Sequence, residues 1–176
     1  PGTIILSEGA KEAPLKIVTS IFPLKEFAQA VSGDRGEVDL LLPPGAEIHS
    51  WQPKPSDLVK LSSADMFVYI GAELEPWAED ILRSVRNPHL KIVEASRALF
   101  LLGGGGEPEP HEHTSYSAHR HGAHDPHVWL DFENDERIVD QIQKALAEID
   151  PDGKETFFRN AFLYKQKLRF LDEKYR

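Results

Sequence analysis

Short apolar runs alternate with amphipathic stretches from about residue 15 to residue 100 of the chain. The apolar runs are rich in Val, Ile, Leu and Phe and end at Gly, Pro or Ser, which indicates buried strands. Such strands, when they alternate with short helices, predict an α/β fold with a four-stranded, mostly parallel sheet flanked by helices. The candidate strands are residues 15–20, 37–42, 65–71 and 90–96, and the candidate helices between them are 23–33, 54–64 and 76–85.

Two of these helices carry recognisable end signals. Pro23 suits the start of the first helix and Gly33 its end. In the second helix we expect Ser56 to cap the N-terminus, because a serine oxygen can accept from the first free backbone N–H groups. The side chains that we expect to face inward from this helix are Leu58, Val59 and Leu61.

The regular pattern stops at residues 103–125, which are rich in Gly, Pro, Ser and His and carry almost no large apolar side chains. This composition predicts a mobile surface loop. Helical spacing returns over residues 134–149 and ends at Pro151.

We expect a long C-terminal helix from Asp152, which with Glu155 resembles a capping box. This helix reaches the last residue without a stop signal, so we expect the chain to be part of something larger. Its apolar stripe comprises Phe157, Ala161, Tyr164, Leu168, Leu171 and Tyr175.

The amino-acid composition limits the partners and the metal ligands that this protein can have. A chain of 176 residues predicts one domain, or one domain with an appendage. Its net charge of −9 argues against a nucleic-acid surface, which requires a basic patch. It has no cysteine, so any metal ion must be held by imidazole and oxygen. Residues 1–14 resemble neither an intact signal peptide nor a membrane span.

Two histidines lie in stiff loops. His49 follows the second candidate strand among several prolines, and His127 follows Pro126 directly, with the apolar residues 128–130 expected to anchor what comes after it. Ligands of open α/β sheets bind beyond the carboxyl ends of the strands, and imidazole is a preferred ligand of zinc. We therefore predict a tight metal site formed by His49 and His127.

The remaining histidines of this region are crowded into the polar loop. A mobile tract has no fixed coordination geometry, so we expect it to bind divalent ions loosely, as an accessory site. Its members are His111, His113, His119, His121 and His124.

Three stretches carry a family resemblance: "PPGAEIHSWQPKPSD", "SSADMFVYIGAELE" and "DPHVWLD". They resemble the zinc/manganese-binding solute receptors of bacterial ABC importers, which include the ZnuA-like and TroA-like proteins. The resemblance runs collinearly from about Leu15 to the end of the chain. It implies two α/β lobes joined by a long helix, with the metal ion held between the lobes.

In this resemblance His49 and His127 match the two ligand histidines of the N-terminal lobe. The other ligands of the family, a His or Glu and an Asp, come from a C-terminal lobe, which we expect to be absent from this sequence. Zinc-type members often carry a Glu beside the first ligand, whereas here Ile48 intervenes between Glu47 and His49. The histidine-rich insertion is typical of zinc-type members, so the resemblance implies Zn²⁺ rather than Mn²⁺.

The resemblance also implies an organisation and a location. Residues 1–14 would be an extension, 15–150 the N-terminal lobe and 151–176 a truncated connecting helix. The protein would be a non-enzymatic receptor outside the cytoplasm, periplasmic or lipid-anchored, that delivers metal to an ABC permease. An apolar stripe left exposed on the connecting helix would favour a homo-oligomer or an exchange of that helix.

Two other functions fit parts of the sequence. The first is a metal-buffering or adhesin-like surface protein in which the histidine-rich loop is the working part. The second is a zinc hydrolase, in which two imidazoles and a water would activate a nucleophile. The chain has no H-E-x-x-H motif and no Glu placed as a general base, which argues against the hydrolase.

Overall fold

The centre of the molecule is a parallel sheet. The computed structural model of the protein describes residues 13–71, 74–97, 99 and 127–175. Its strands are Leu15–Thr19 (β1), Gly36–Leu40 (β2), Met66–Tyr69 (β3) and Lys91–Glu94 (β4). They form one four-stranded sheet in the order β2-β1-β3-β4, and all neighbours are parallel. The predicted fold class is confirmed.

The register brings the carboxyl ends of the strands to one edge of the sheet. Thr19, the last residue of β1, lies opposite Leu40 of β2 and Val68 of β3. The pairing continues just past the strands, because the N–H of Leu42 donates to the carbonyl of Ser20 over 3.1 Å. The loops after β1, β2 and β3 therefore leave from the same edge.

The two faces of the sheet carry separate cores. Side chains alternate between the faces of a strand, so consecutive residues of β3 belong to different clusters. Met66 and Val68 join a first cluster with the helices on one side, whereas Phe67 and Tyr69 join a second cluster on the other side. Both faces are thus buried, as expected for a parallel sheet.

Among the described residues, five helices cover the sheet: Phe22–Ser32 (α1), Pro55–Ser62 (α2), Ala78–Ser84 (α3), Phe132–Ile149 (α4) and Lys154–Tyr175 (α5). The first core cluster contains side chains of α1, α4 and α5, and the second contains side chains of α2 and α3. The predicted start and end of α1 are confirmed, with a proline in its first turn and Gly33 as its C-cap at φ +55°.

The expectations for α2 need correction. Lys54, not Ser56, is the N-cap residue, and its N–H donates to the Asp57 carboxylate over 2.8 Å. Leu61 is fully buried and Leu58 is half-buried, but Val59 is 69% exposed. The helix has only eight residues, so a single narrow stripe contacts the sheet, and Val59 lies outside it.

The start of α5 also differs from the prediction. The cap is formed by Asp150, whose carboxylate accepts from the N–H of Gly153 over 3.0 Å and from the guanidinium of Arg35 over 2.6 Å. Asp152 lies in the short 3₁₀ turn Pro151–Gly153 and is exposed. The predicted capping box at Asp152 and Glu155 is therefore wrong, because the carboxylate of Asp150 already accepts from the free N–H of Gly153.

The apolar stripe of α5 is mostly packed rather than exposed. Phe157, Ala161 and Leu168 are buried in the first core, and Tyr164 meets Phe27 of α1 with ring centroids 5.9 Å apart. The expectation of an exposed stripe is wrong over this part, so it gives no physical reason for helix exchange. The exposed apolar side chains of α5 are Phe158, Phe162, Leu163, Phe170, Leu171 and Tyr175.

Several expectations fall outside the described part of the chain. These are residues 1–12 of the predicted extension and the whole of the predicted loop at 103–125, with its five histidines. Among the helices that the structure describes, none has both the length and the apolar character needed to cross a lipid bilayer.

Candidate metal centre

His49 lies on a compact turn between β2 and α2. Gly45 allows the approach to this turn, because its φ of +80° is unfavourable for a residue with a side chain. The N–H of Trp51 donates to the carbonyl of Glu47 over 3.0 Å, which closes one helical turn around His49. The imidazole itself is exposed.

The carboxylate of Glu47 holds the same turn together. One oxygen accepts from the N–H of His49 over 3.1 Å, and the other accepts from the N–H of Ser50 over 2.9 Å. The hydrogen bond from His49, followed by that from the hydroxyl of Ser50, lowers the pKa of Glu47 below its ordinary value. Both carboxylate oxygens of Glu47 therefore point toward backbone N–H groups of the turn. They do not point toward a position where Glu47 and the His49 imidazole could bind the same ion.

His127 stands just before α4. The 3₁₀ turn Val128–Leu130 follows it, and the N–H of Leu130 donates to the carbonyl of His127 over 3.1 Å. Val128 and Trp129 pack against the first core and fix this turn, and the Trp129 ring lies 5.3 Å from the imidazole. Leu130 is 76% exposed, so its predicted anchoring role is wrong.

The helix that follows is capped by the same short segment. Asp131 is the N-cap of α4, and its side chain accepts from the N–H of Glu133 over 2.8 Å. This bond fixes the direction in which the chain enters the helix. The position of His127 is therefore set by the segment that follows it, through the packing of Val128 and Trp129 and through the capped start of α4.

The two turns bring both imidazoles to one place. The ring centroids of His49 and His127 are 6.3 Å apart, and the ring planes are inclined at 78°. The sequence placed both residues in loops but could not show that the loops meet. The structure brings these two together, whereas His89 precedes β4 and so lies toward the opposite edge of the sheet.

Within the described residues, no group of three or more His, Cys, Asp or Glu side chains is arranged to hold a metal ion. The metal site predicted at His49 and His127 therefore stays a prediction. The five loop histidines lie outside the described residues, so their relation to the pair stays a prediction.

A buried carboxylate, which the sequence analysis missed, supports the same edge of the sheet. Glu75 is 4% exposed and accepts from the hydroxyl of Ser20 over 2.5 Å. It also accepts from the N–H groups of Ile70 and Gly71 over 3.0 and 2.9 Å. Burial raises the pKa of Glu75, and these hydrogen bonds oppose the rise. Glu75 therefore ties the end of β1 to the end of β3.

An α/β fold that brings two imidazoles together beside a parallel sheet has the arrangement of a ligand-binding protein. Residues 17–176 match the family model described as ZnuA, zinc-uptake complex component A, periplasmic. The chain belongs to this family. That family consists of binding components of transport systems, which confirms the expectation that the protein is not an enzyme and removes the hydrolase alternative.

Individual relatives agree with this assignment. The zinc-binding protein AdcA of Streptococcus pyogenes is 34% identical over 172 residues, which cover 93% of this chain and 33% of the relative. The high-affinity zinc uptake system protein ZnuA of Bacillus subtilis is 36% identical over 170 residues, which cover 97% of this chain and 53% of the relative.

A solved structure shows the same fold. The Zn(II)-bound ZnuA-like domain of Streptococcus pneumoniae AdcA matches with a TM-score of 0.75 and 34% identity, over 93% of this chain and 55% of that one. The chain therefore spans about a third to about half of the length of these relatives.

Proposed function

We propose that this protein is an extracytoplasmic receptor that binds Zn²⁺ through His49 and His127 and delivers it to an ABC permease. The observation that supports the proposal most strongly is the 6.3 Å separation of the two ring centroids, because the residues are distant in sequence. Relatives named for zinc binding and zinc uptake support the choice of metal. Mn²⁺ is the alternative, but it prefers oxygen ligands, whereas imidazole suits zinc.

The separation of the rings is close to what one ion requires. Zinc binds imidazole nitrogen at about 2.0–2.1 Å, so the centre of each ring lies about 3 Å from the ion. Two rings at a tetrahedral angle then have centres about 5 Å apart. The observed pair needs to close by only about 1 Å, and exposed side chains can make that adjustment by small rotations.

Zinc takes four ligands, and the pair provides two. We propose that the remaining positions are filled by water or by groups outside the described residues, and that His111, His113, His119, His121 and His124 collect ions loosely and pass them to the pair. A second lobe, as the family resemblance implies, would provide stronger ligands. In this proposal residues 15–150 form the N-terminal lobe and 151–176 belong to the helix that connects the lobes.

The location outside the cytoplasm follows from the family and from one relative. The family is described as periplasmic, and the AdcA protein of Streptococcus pneumoniae is named a zinc-binding lipoprotein. A receptor in either location would meet its permease at the outer face of the membrane. A homo-oligomer is not part of the proposal, because most of the stripe that suggested one, from Phe157 to Leu168, packs within the protein.

Zinc titration with a competing chelator tests the proposal. His49→Ala and His127→Ala should each remove the tight equivalent of zinc, whereas His89→Ala, an exposed histidine toward the opposite sheet edge, should leave it unchanged. Unaltered tight binding in either of the first two variants would contradict the proposal.

Deletion of residues 107–124 separates the receptor from a metal buffer. If the pair is the tight site, the deletion leaves one tight equivalent and removes only loose binding. If the loop is the functional part, all zinc binding disappears. The same titration at pH 5 should show much weaker binding than at pH 7.5, because protonated imidazole cannot ligate a metal ion.

A further inference from the structure

The turn that carries His49 is attached to both faces of the sheet. Ile48 packs against the first core, and Trp51 packs against the second. The ring of Trp51 meets the ring of Trp77 edge-on, with centroids 4.8 Å apart and planes inclined at 76°. His49 lies between these two contacts and is itself exposed.

The turn behaves as one unit because its own hydrogen bonds close it. The carbonyl of Glu47 accepts from the N–H of Trp51, and the carboxylate of Glu47 accepts from two further N–H groups. The shape of the turn is therefore fixed locally. Its orientation relative to the rest of the protein depends on Ile48 and Trp51, the two side chains that reach the cores.

The partner of Trp51 is itself immobilised. Trp77 is 3% exposed and precedes α3, and its carbonyl accepts from the N–H of Ile81 over 3.1 Å. The N–H of Ala78 donates to the carbonyl of Glu75 over 2.9 Å. The carboxylate of Glu75 joins the ends of β1 and β3. The Trp77 ring is thus held in a fixed relation to the carboxyl edge of the sheet.

We propose that Trp51 is a positioning residue of the metal site: its edge-on contact with Trp77 orients the turn so that the His49 imidazole faces His127. This inference rests on the proposed function. Without the ring contact, the turn can rotate about its remaining attachment at Ile48, and the two imidazoles then spend less time close enough to share an ion.

We expect the loss of the Trp51 ring to change the zinc affinity and the coordination geometry more than it changes folding. Removal of a group that orients a metal ligand typically weakens metal binding about 10–100-fold. Trp51 is only half-buried and lies in a loop, so its removal should leave the sheet and helices intact. A residue that merely adds core packing would lower stability without any selective change at the metal.

The test compares Trp51→Ala and Trp51→Phe with Ile81→Val, which removes apolar volume from the same cluster away from the turn. Zinc affinity is measured by chelator competition, stability by urea unfolding without metal, and coordination by the absorption spectrum of bound Co²⁺. We expect Trp51→Ala to bind zinc about 10-fold or more weakly with an altered Co²⁺ spectrum. Trp51→Phe should largely keep the zinc affinity and the Co²⁺ spectrum of the unchanged protein. Ile81→Val should change neither the affinity nor the spectrum.

The inference is overturned if Trp51→Ala loses stability but keeps its zinc affinity and Co²⁺ spectrum. Trp51→Leu, which keeps apolar bulk but not the ring edge, serves the same purpose if the alanine variant does not fold. His49→Ala, measured in parallel, distinguishes the two failures. If it abolishes binding while the Trp51 variants do not, only the positioning role is wrong; if it has no effect, the proposed metal site is wrong as well.

Discussion

Asp135 is a carboxylate in an apolar environment, and it makes the stability of the fold depend on pH. It lies in the first turn of α4, on the side that also buries Ile138 and Val139, and it is 5% exposed. Its Oδ1 atom has no hydrogen-bond partner in the part of the chain that the structure describes. Burial, and secondly the charge of Asp131, raise the pKa of Asp135 to about 7.

The direction of the effect follows from linkage. The folded-state pKa of Asp135 lies above its ordinary value of 3.8, so the folded protein prefers the protonated carboxyl. The stabilising contribution is fully present below about pH 4 and is lost as the pH rises through about 7. A change from 3.8 to about 7 corresponds to about 4 kcal/mol in total, of which about 2.5 kcal/mol is lost between pH 5 and pH 8.

Asp135→Asn removes this titration while keeping the size of the side chain. We expect its free energy of unfolding, relative to that of the unchanged protein, to be about 2.5 kcal/mol higher at pH 8 than at pH 5, because only the unchanged protein loses stability as Asp135 ionises. The assay is urea unfolding in the presence of a chelator at both pH values. Glu173→Gln, an exposed site on α5, is the control and should show no such trend. Parallel pH profiles for the unchanged protein and Asp135→Asn would refute the reasoning.

Two further substitutions test the support of the site and the packing of α5. Glu75→Ala leaves three buried donors without their acceptor, so thermal unfolding should show a free energy of unfolding lower by about 3 kcal/mol or more. Glu75→Gln should lower it less, because one side-chain oxygen remains. Equal losses in the two variants would argue against the hydrogen-bond account. Phe157→Ala should lower the free energy of unfolding by about 3–5 kcal/mol, whereas its exposed neighbour Phe158→Ala should change it by less than about 0.5 kcal/mol; the reverse order would mean that the other face of α5 is packed.

The strands and helices were largely predictable because each has a local signal. Apolar runs that end at Gly, Pro or Ser located the four described strands, the end signals Pro23 and Gly33 located α1, and helical spacing located α4 and α5. Details that depend on competing neighbours were not predictable. Asp150 rather than Asp152 caps the turn before α5, since Arg35 from a distant segment holds its carboxylate in place.

Of the proposed metal site, the sequence predicted only the two histidines. Histidines beside prolines in loops mark both proposed ligand positions in the sequence, but the convergence of the two rings depends on the register of the sheet and on the packing of two separate turns. The contact between Trp51 and Trp77 has no local signal beyond an aromatic residue in a polar loop. A charged side chain such as Asp135 is expected to be exposed, and its burial follows only from the packing of α4 against its neighbours.

The central claim is that His49 and His127 bind one zinc ion together. The most direct measurement is an anomalous difference map from crystals of the zinc-loaded protein, recorded at the zinc absorption edge. We predict a single strong peak bonded to a nitrogen of each imidazole at about 2.0–2.1 Å. A zinc peak elsewhere in the protein, with the two rings still apart and neither bonded to the ion, would contradict the account.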